Sequence, residues 1–218
     1  MRQDRLVHAI IWDFGGTLLD TYPDVDRALA LAAFGNTDEG RLAEVAALTR
    51  VSSGHAITEL SARTGVPEAE LRAAYDGVKE LWESTPAPVM PGAREVMAAL
   101  RQAGGLNLVA THRDRASAEL LLAATGLPVD DMICAPDGYA RKPSPEMAET
   151  LLERHELDPS EVLTIGDRPA DLESGRAAGI AGFLLVTPGI PLDAGDARTI
   201  GHLREVLPLV AGEGDQRL

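Results

Sequence analysis

The sequence predicts an α/β protein: an open parallel sheet with helices on both faces, and an all-helical part inserted after the first strand. Three observations predict it. Residues Leu6 to Trp12, LVHAIIW, are apolar apart from His8, the pattern of a strand buried on both faces. From Leu106 to Thr187 strand-like and helix-like segments alternate, as βαβ units do. Between these regions, from about Asp24 to Leu81, the chain is rich in alanine and leucine, with apolar residues every three or four positions and no strand pattern.

The first strand stops at Asp13, and Gly15-Gly16 allow a tight turn close to a ligand. Four helices follow, DVDRALALAAF, EGRLAEVAALTRV, HAITELSARTG and PEAELRAAYDGVKELWE. The proline-rich TPAPVMP (Thr85 to Pro91) bars helix and marks the return to the sheet, after which AREVMAALRQAG reads as a helix. Strands are then expected at Leu106 to Ala110, Asp131 to Ala135, Glu161 to Gly166 and Ala181 to Thr187, separated by helices RASAELLLAATG, SPEMAETLLERHEL and ADLESGRAAG. The tail AGEGDQRL reads as frayed.

A chain of 218 residues fits one large domain or a core with a smaller insert. The net charge of −14, from 34 acidic and 20 basic residues, argues against nucleic acid or anionic lipid as a partner. It leaves room for a small anion where cations and backbone N–H groups converge. The lone Cys134, in a short apolar run, reads as a packing residue in a reducing compartment. The start MRQDR and the short apolar run after it supply neither a signal core nor a membrane span, so a cytoplasmic protein, monomer or homodimer, is expected.

Ligands of open parallel sheets bind beyond the carboxyl ends of strands. Asp13, Thr111, the loop carrying Lys142, and Asp167 follow successive strands, so two carboxylates, a hydroxyl and an ammonium are expected at one sheet edge, with Asp171 one helical turn beyond Asp167. Each type has a use if the ligand is a phosphoester. Asp13 can attack phosphorus and form an aspartyl-phosphate. Asp13 and Asp167 form an oxygen-rich pair suited to Mg2+. Thr111, Lys142 and the amides of the glycine turn can donate to the transferring group, and Asp171 can orient Lys142 or a metal-bound water. Taken singly the residues have plainer readings: Thr111 as a helix cap, Lys142 as a solvated lysine, Asp171 as a first-turn acid.

Together the segments IIWDFGGTLLD (Ile10 to Asp20), LVATHRD (Leu108 to Asp114), ARKPSPE (Ala140 to Glu146) and IGDRPADLESGRAAG (Ile165 to Gly179) resemble the four motifs of the haloacid dehalogenase-like hydrolase superfamily. The branch resembled is the phosphoglycolate phosphatase-like one, with a helical cap inserted after the first motif. The resemblance implies a Rossmann-like three-layer core from residues 1–19 and 86–218 and a cap from 20–85. It implies a Mg2+-dependent phosphatase of a small phosphorylated metabolite, with Asp13 as nucleophile and Thr17 steadying its loop. Thr111 and Lys142 would hold the phosphoryl group beside Gly16 and His112. Asp13, the Gly15 carbonyl, Asp167 and Asp171 would serve the metal.

Gly15 departs from the pattern, because phosphatases of this family carry there a second aspartate that acts as general acid and base. Losing such a group costs on the order of 10^2 to 10^4 in rate, so a slow or atypical phosphatase is expected unless another group substitutes. The candidates are Asp20, His55, His112, Tyr22 and Arg50, while Arg113 reads either as surface charge or as a phosphate contact. Two alternatives stay open: a degenerate phosphate- and metal-binding protein, or a phosphonate or carbon–halogen hydrolase. Phosphonate cleavage is disfavoured by Lys79, the lone cap lysine, lying near the hinge, and carbon–halogen cleavage by Gly15 supplying no aromatic ring.

Overall fold

The structure, a computed structural model, describes residues 7–210. Its sheet contains β1 (Ala9–Trp12), β2 (Leu106–Thr111), β3 (Asp131–Cys134), β4 (Val162–Gly166), β5 (Ala181–Leu185) and β6 (Thr199–Ile200). All neighbours run parallel, in the order β3-β2-β1-β4-β5-β6. The first five strands stand where the sequence pattern puts them. β6 was not expected: two residues at a sheet edge are too short to show a period, and the strand pairs with β5 after a loop rich in proline and glycine. Leu6 and the tail 211–218 lie outside the described residues.

Alternation along β1 separates the two faces of the sheet. Ala9 and Ile11 pack with Met147 and Leu151 of α7 (Glu146–Arg154), the side that also receives α8 (Pro169–Ala177). Ile10 and Trp12 face the other way, toward α5 (Ala93–Gln102), α6 (Arg115–Thr125) and α9 (Leu207–Val210). The result is a three-layer α/β core. Ile10, Ile11 and Trp12 are almost wholly excluded from water, each contributing about 1.5–3 kcal/mol of hydrophobic stabilisation. The one polar tip in this run, Trp12 Nε1, donates to Asn107 Oδ1 at 3.1 Å.

Between β1 and α5 the chain forms α1 (Tyr22–Phe34), α2 (Glu39–Thr49), α3 (Ser53–Thr64) and α4 (Glu68–Ser84). Local chemistry sets their ends: Asp38 and Ser52 accept the amides of Arg41 and His55, and left-handed Gly35 and Gly65 close α1 and α3. The chain enters and leaves this helical part through two adjacent segments joined by the Asp20 amide to Pro88 oxygen (2.8 Å) and the Met90 amide to Leu18 oxygen (2.9 Å). The helices therefore sit directly over the carboxyl end of β1. Among the described residues no helix is long and apolar enough to cross a membrane.

Candidate active site

Parallel register aligns the ends of the three central strands, since Trp12 pairs with Val109 of β2 and Ile165 of β4. Asp13, Thr111 and Asp167 therefore leave the sheet side by side. The Asp13 amide is held by the Ile165 carbonyl at 2.8 Å, which fixes the direction in which its carboxylate leaves the strand. Lys142 reaches the same point from the loop before α7. Its Nζ lies 2.7 Å from Asp13 Oδ1 and 2.6 Å from Asp171 Oδ1, and its side chain is 5% exposed. Among the described residues Asp13 Oδ2 has no hydrogen-bond donor and stays open.

Burial opposes the charge on Lys142, but the two flanking carboxylates outweigh it and hold the ammonium firmly protonated. Burial raises the Asp13 and Asp171 carboxyls, and Lys142 counteracts the rise in both. Asp171 spends its second oxygen on the Arg168 amide at 3.0 Å, so its first-turn acid role and its grip on Lys142 coexist.

On the other side of Asp13 stands Asp167. Its Oδ1 accepts from Thr17 Oγ1 at 2.8 Å, and its Oδ2 from the Tyr22 hydroxyl at the start of α1. Arg168 Nε donates to that same hydroxyl at 3.3 Å. Burial, with Asp167 beside it, pushes the Tyr22 phenol well above its usual range, so it remains a donor. The Arg50 guanidinium stacks 3.6 Å from the Tyr22 ring while pairing with Asp26 at 3.0 Å. Tyr22 and Arg50 are among the candidates the sequence offers to replace the missing acid, whereas Arg168 is not singled out by it. The available signal was a basic residue directly after a strand-end aspartate.

The two adjacent glycines differ. Gly16 has φ +98°, and a Cβ there would lie 2.5 Å from the Tyr22 ring and 2.7 Å from Asp167 Oδ2. Only glycine fits. Gly15 has no such constraint: a Cβ would meet Thr21 Oγ1 at 3.4 Å, an ordinary contact. Its amide and that of Phe14 have no acceptor among the described residues, whereas the Gly16 amide is committed to the Leu19 carbonyl at 2.8 Å. The donors available from the turn are therefore those of Phe14 and Gly15, and Gly16 contributes the turn itself.

Thr111 is not the helix cap: Asp114 fills that role, while Thr111 Oγ1 accepts the Arg113 amide at 3.1 Å and keeps its own proton to donate. His112 Nε2 accepts the Lys142 amide at 2.8 Å, tying the Lys142 loop to the end of β2. Burial, with Lys142, Arg141 and Arg168 nearby, drives its pKa down to about 3, so the ring is neutral. His55 lies exposed on the first turn of α3, and Lys79 is half-buried and paired with Asp76 at 2.8 Å. Asp20 lies in the linker, its carboxyl raised by burial against the pull of Arg50. Cys134 is fully buried, as its apolar run implies.

Asp13, Asp167 and Asp171 each offer an oxygen, and these atoms all lie within 4.8 Å of one another. Three carboxylates, Asp167 and Asp171 buried and Asp13 half-buried, face the cations Lys142 and Arg168, which leaves net negative charge in an all-oxygen set. That donor chemistry fits a hard divalent cation.

The haloacid dehalogenase-like hydrolase family matches residues 7–179. The chain belongs to this family. Two curated relatives are each 34% identical to it: the N-acetylmuramic acid 6-phosphate phosphatase of Pseudomonas aeruginosa, over 82% of this chain and 81% of that protein, and the phosphoglycolate phosphatase of Nitrosospira multiformis, over 79% and 80%. Among solved structures, a hydrolase from Streptococcus pneumoniae superposes with a TM-score of 0.66 at 28% identity, covering 92% of this chain and 98% of its own. The haloacid dehalogenase-like core thus accounts for Asp13, Asp167, Asp171 and Lys142 meeting at the carboxyl end of the central strands.

Proposed function

We propose that this chain is a Mg2+-dependent phosphatase that hydrolyses a small phosphomonoester through an aspartyl-phosphate on Asp13. One observation carries the reading: one oxygen of Asp13 is fixed by Lys142 while the other is open, in a cluster shared with Asp167 and Asp171. The relatives named above are phosphatases, which supports the same reaction class.

Asp13 Oδ2 attacks phosphorus, the ester P–O bond breaks, and the alkoxide leaves, taking a proton from solvent. Water then attacks the phosphoryl group, the bond to Asp13 breaks and phosphate departs. The Lys142 ammonium, the Thr111 hydroxyl and the amides of Phe14 and Gly15 donate to the charge that accumulates on the transferring group. Asp13, Asp167 and the Gly15 carbonyl would hold Mg2+, which when bound neutralises phosphoryl oxygens. Asp171 orients Lys142, and Thr17 steadies Asp167. Residues 20–85 serve as the cap over a core of 1–19 and 86–218, excluding bulk water. A cytoplasmic setting agrees with a single buried cysteine and a phosphorylated metabolite as substrate.

The test is turnover of p-nitrophenyl phosphate and 2-phosphoglycolate with and without Mg2+, in wild type and Asp13→Asn. The variant is expected to lose at least about 10^4 in kcat, and removal of Mg2+ by chelation to stop wild-type turnover. Unchanged turnover in Asp13→Asn would exclude Asp13 as nucleophile. Gly15 favours a second reading, a binding protein of little turnover, which wild-type inactivity on every phosphomonoester would support.

A further inference from the structure

Thr164 lies in the middle of β4, 6% exposed, with its side chain toward α8. Among the described residues its hydroxyl oxygen is the one buried side-chain polar atom without a hydrogen-bond partner. Thr17, Thr49 and Ser174, also buried, all donate: to Asp167 at 2.8 Å, to Asp26 at 2.6 Å and to the Ser144 carbonyl at 2.8 Å. Valine has the same branched shape as threonine and suits a buried strand equally well. An unpaired hydroxyl at this point therefore destabilises the fold without improving its packing.

The hydroxyl faces α8 at Gly175, where a Cβ would lie 2.4 Å from Thr164 Oγ1. Glycine leaves room in front of the oxygen. Both residues line a small cavity of about 10 Å³, room for one water molecule, whose polar lining is Asp13, Lys142, Thr164, Asp171 and Ser174. Three elements meet there: β4, α8 through Asp171 and Ser174, and the loop carrying Lys142, which Ser174 ties down through Ser144.

We propose that this cavity is the binding site of one internal water molecule, which joins β4 to α8 beside the Lys142–Asp171 pair. The hydrogen-bonding capacities balance. Thr164 Oγ1 donates to the water. One hydrogen of the water goes to a carboxylate oxygen of Asp171, each of which has accepted one donor and keeps a lone pair. The other goes to Ser174 Oγ, whose own hydrogen is engaged by Ser144. Three hydrogen bonds are about the usual number for a buried water, and a polar lining of this kind is what distinguishes a filled cavity from a dry one. The water takes no donor from Lys142, whose remaining N–H stays directed to the ligand side.

The water site is independent of the reaction assigned to Asp13, so its test needs no turnover. A high-resolution crystal structure of the full chain should show ordered density within about 2.7–3.2 Å of Thr164 Oγ1 and of an Asp171 oxygen. A cavity without density overturns the proposal. Thr164→Val keeps the shape and removes the hydroxyl, and its effect on stability differs in sign between the two cases. With a water in place the variant loses a satisfied hydrogen bond, and the unfolding equilibrium constant from urea titration should rise about twofold to tenfold, the scale of one net hydrogen bond. With the hydroxyl unsatisfied, the same change relieves a buried polar group, so a variant as stable as wild type or more stable overturns the proposal. Thr164→Ser, which keeps the donor, should retain the density. Density unchanged in Thr164→Val would show that Thr164 does not hold the water, and overturns the proposal as well.

Discussion

The two flanks of Asp13 are built on opposite rules. Toward Lys142 every charge has a partner: the ammonium bridges Asp13 and Asp171, Asp171 takes the Arg168 amide, and His112 anchors the Lys142 backbone. Toward Gly15 the described residues leave openings: an oxygen of Asp13 without a donor, two amides without acceptors, and room for a Cβ beside Thr21. The closed flank positions charge before any ligand arrives. The open flank is where a phosphoester and a cation have something to add. Stability and chemistry thus sit on different sides of one carboxylate.

The contrast is broken most severely by Lys142→Met. Removing the ammonium leaves Asp13 and Asp171 facing each other, buried and uncompensated, which costs about 3–5 kcal/mol. Urea unfolding near neutral pH should show that loss, and kcat should fall on the order of 10^2 to 10^3 with the lost donor. Because both acids become easier to protonate, the variant should lose less of its remaining stability between pH 7 and pH 5 than wild type. A variant of wild-type stability would show that Lys142 does not hold the closed flank together.

The glycine pair sharpens the contrast from the open side. A Cβ at Gly15 makes only ordinary contact with Thr21, and Gly15→Asp restores a carboxylate where the family's phosphatases have one. It should raise turnover of an alkyl phosphate on the order of 10^2, with a smaller gain for p-nitrophenyl phosphate, whose leaving group needs no proton. A loss on both substrates would show that glycine itself is required. Gly16→Ala, one residue on, should instead lose activity and more than about 1–3 kcal/mol of stability, because strain at positive φ adds to overlap with the Tyr22 ring.

Much of this was legible in the sequence, for a physical reason. Buried parallel strands read as apolar runs, and polar residues at their ends read as a site, so Asp13, Thr111, Lys142 and Asp167 stood out before any contact was known. The helical insertion was equally visible, because alanine and leucine at helical spacing carry their own signal. What escaped was set by packing between distant segments. Tyr22 reaches Asp167 across 145 positions of chain, and the Arg113 guanidinium lies near the rings of Trp82 of α4 and Phe14, both distant from it in sequence. β6 escaped because a two-residue edge strand has no period to detect.

The smallest expected effect tests whether the closed flank depends on a neutral imidazole. His112 has a folded pKa of about 3, lowered first by burial and then by three nearby cations, against an unfolded value near 6.5. As pH falls, the unfolded chain takes up the proton first, so stability present above pH 6.5 is lost progressively down to about pH 3. The slope from this group stays below about 1.4 kcal/mol per pH unit, because the ring is partly exposed and its interactions are screened. Asparagine can accept the Lys142 amide and does not titrate, so His112→Asn should match wild type near pH 8. Between pH 6.5 and 5 the variant should then lose about 1 kcal/mol less than wild type, read from urea midpoints at each pH. Parallel losses in the two proteins would mean that His112 takes up its proton without disturbing the loop, and that the hold on Lys142 comes from its carboxylates alone.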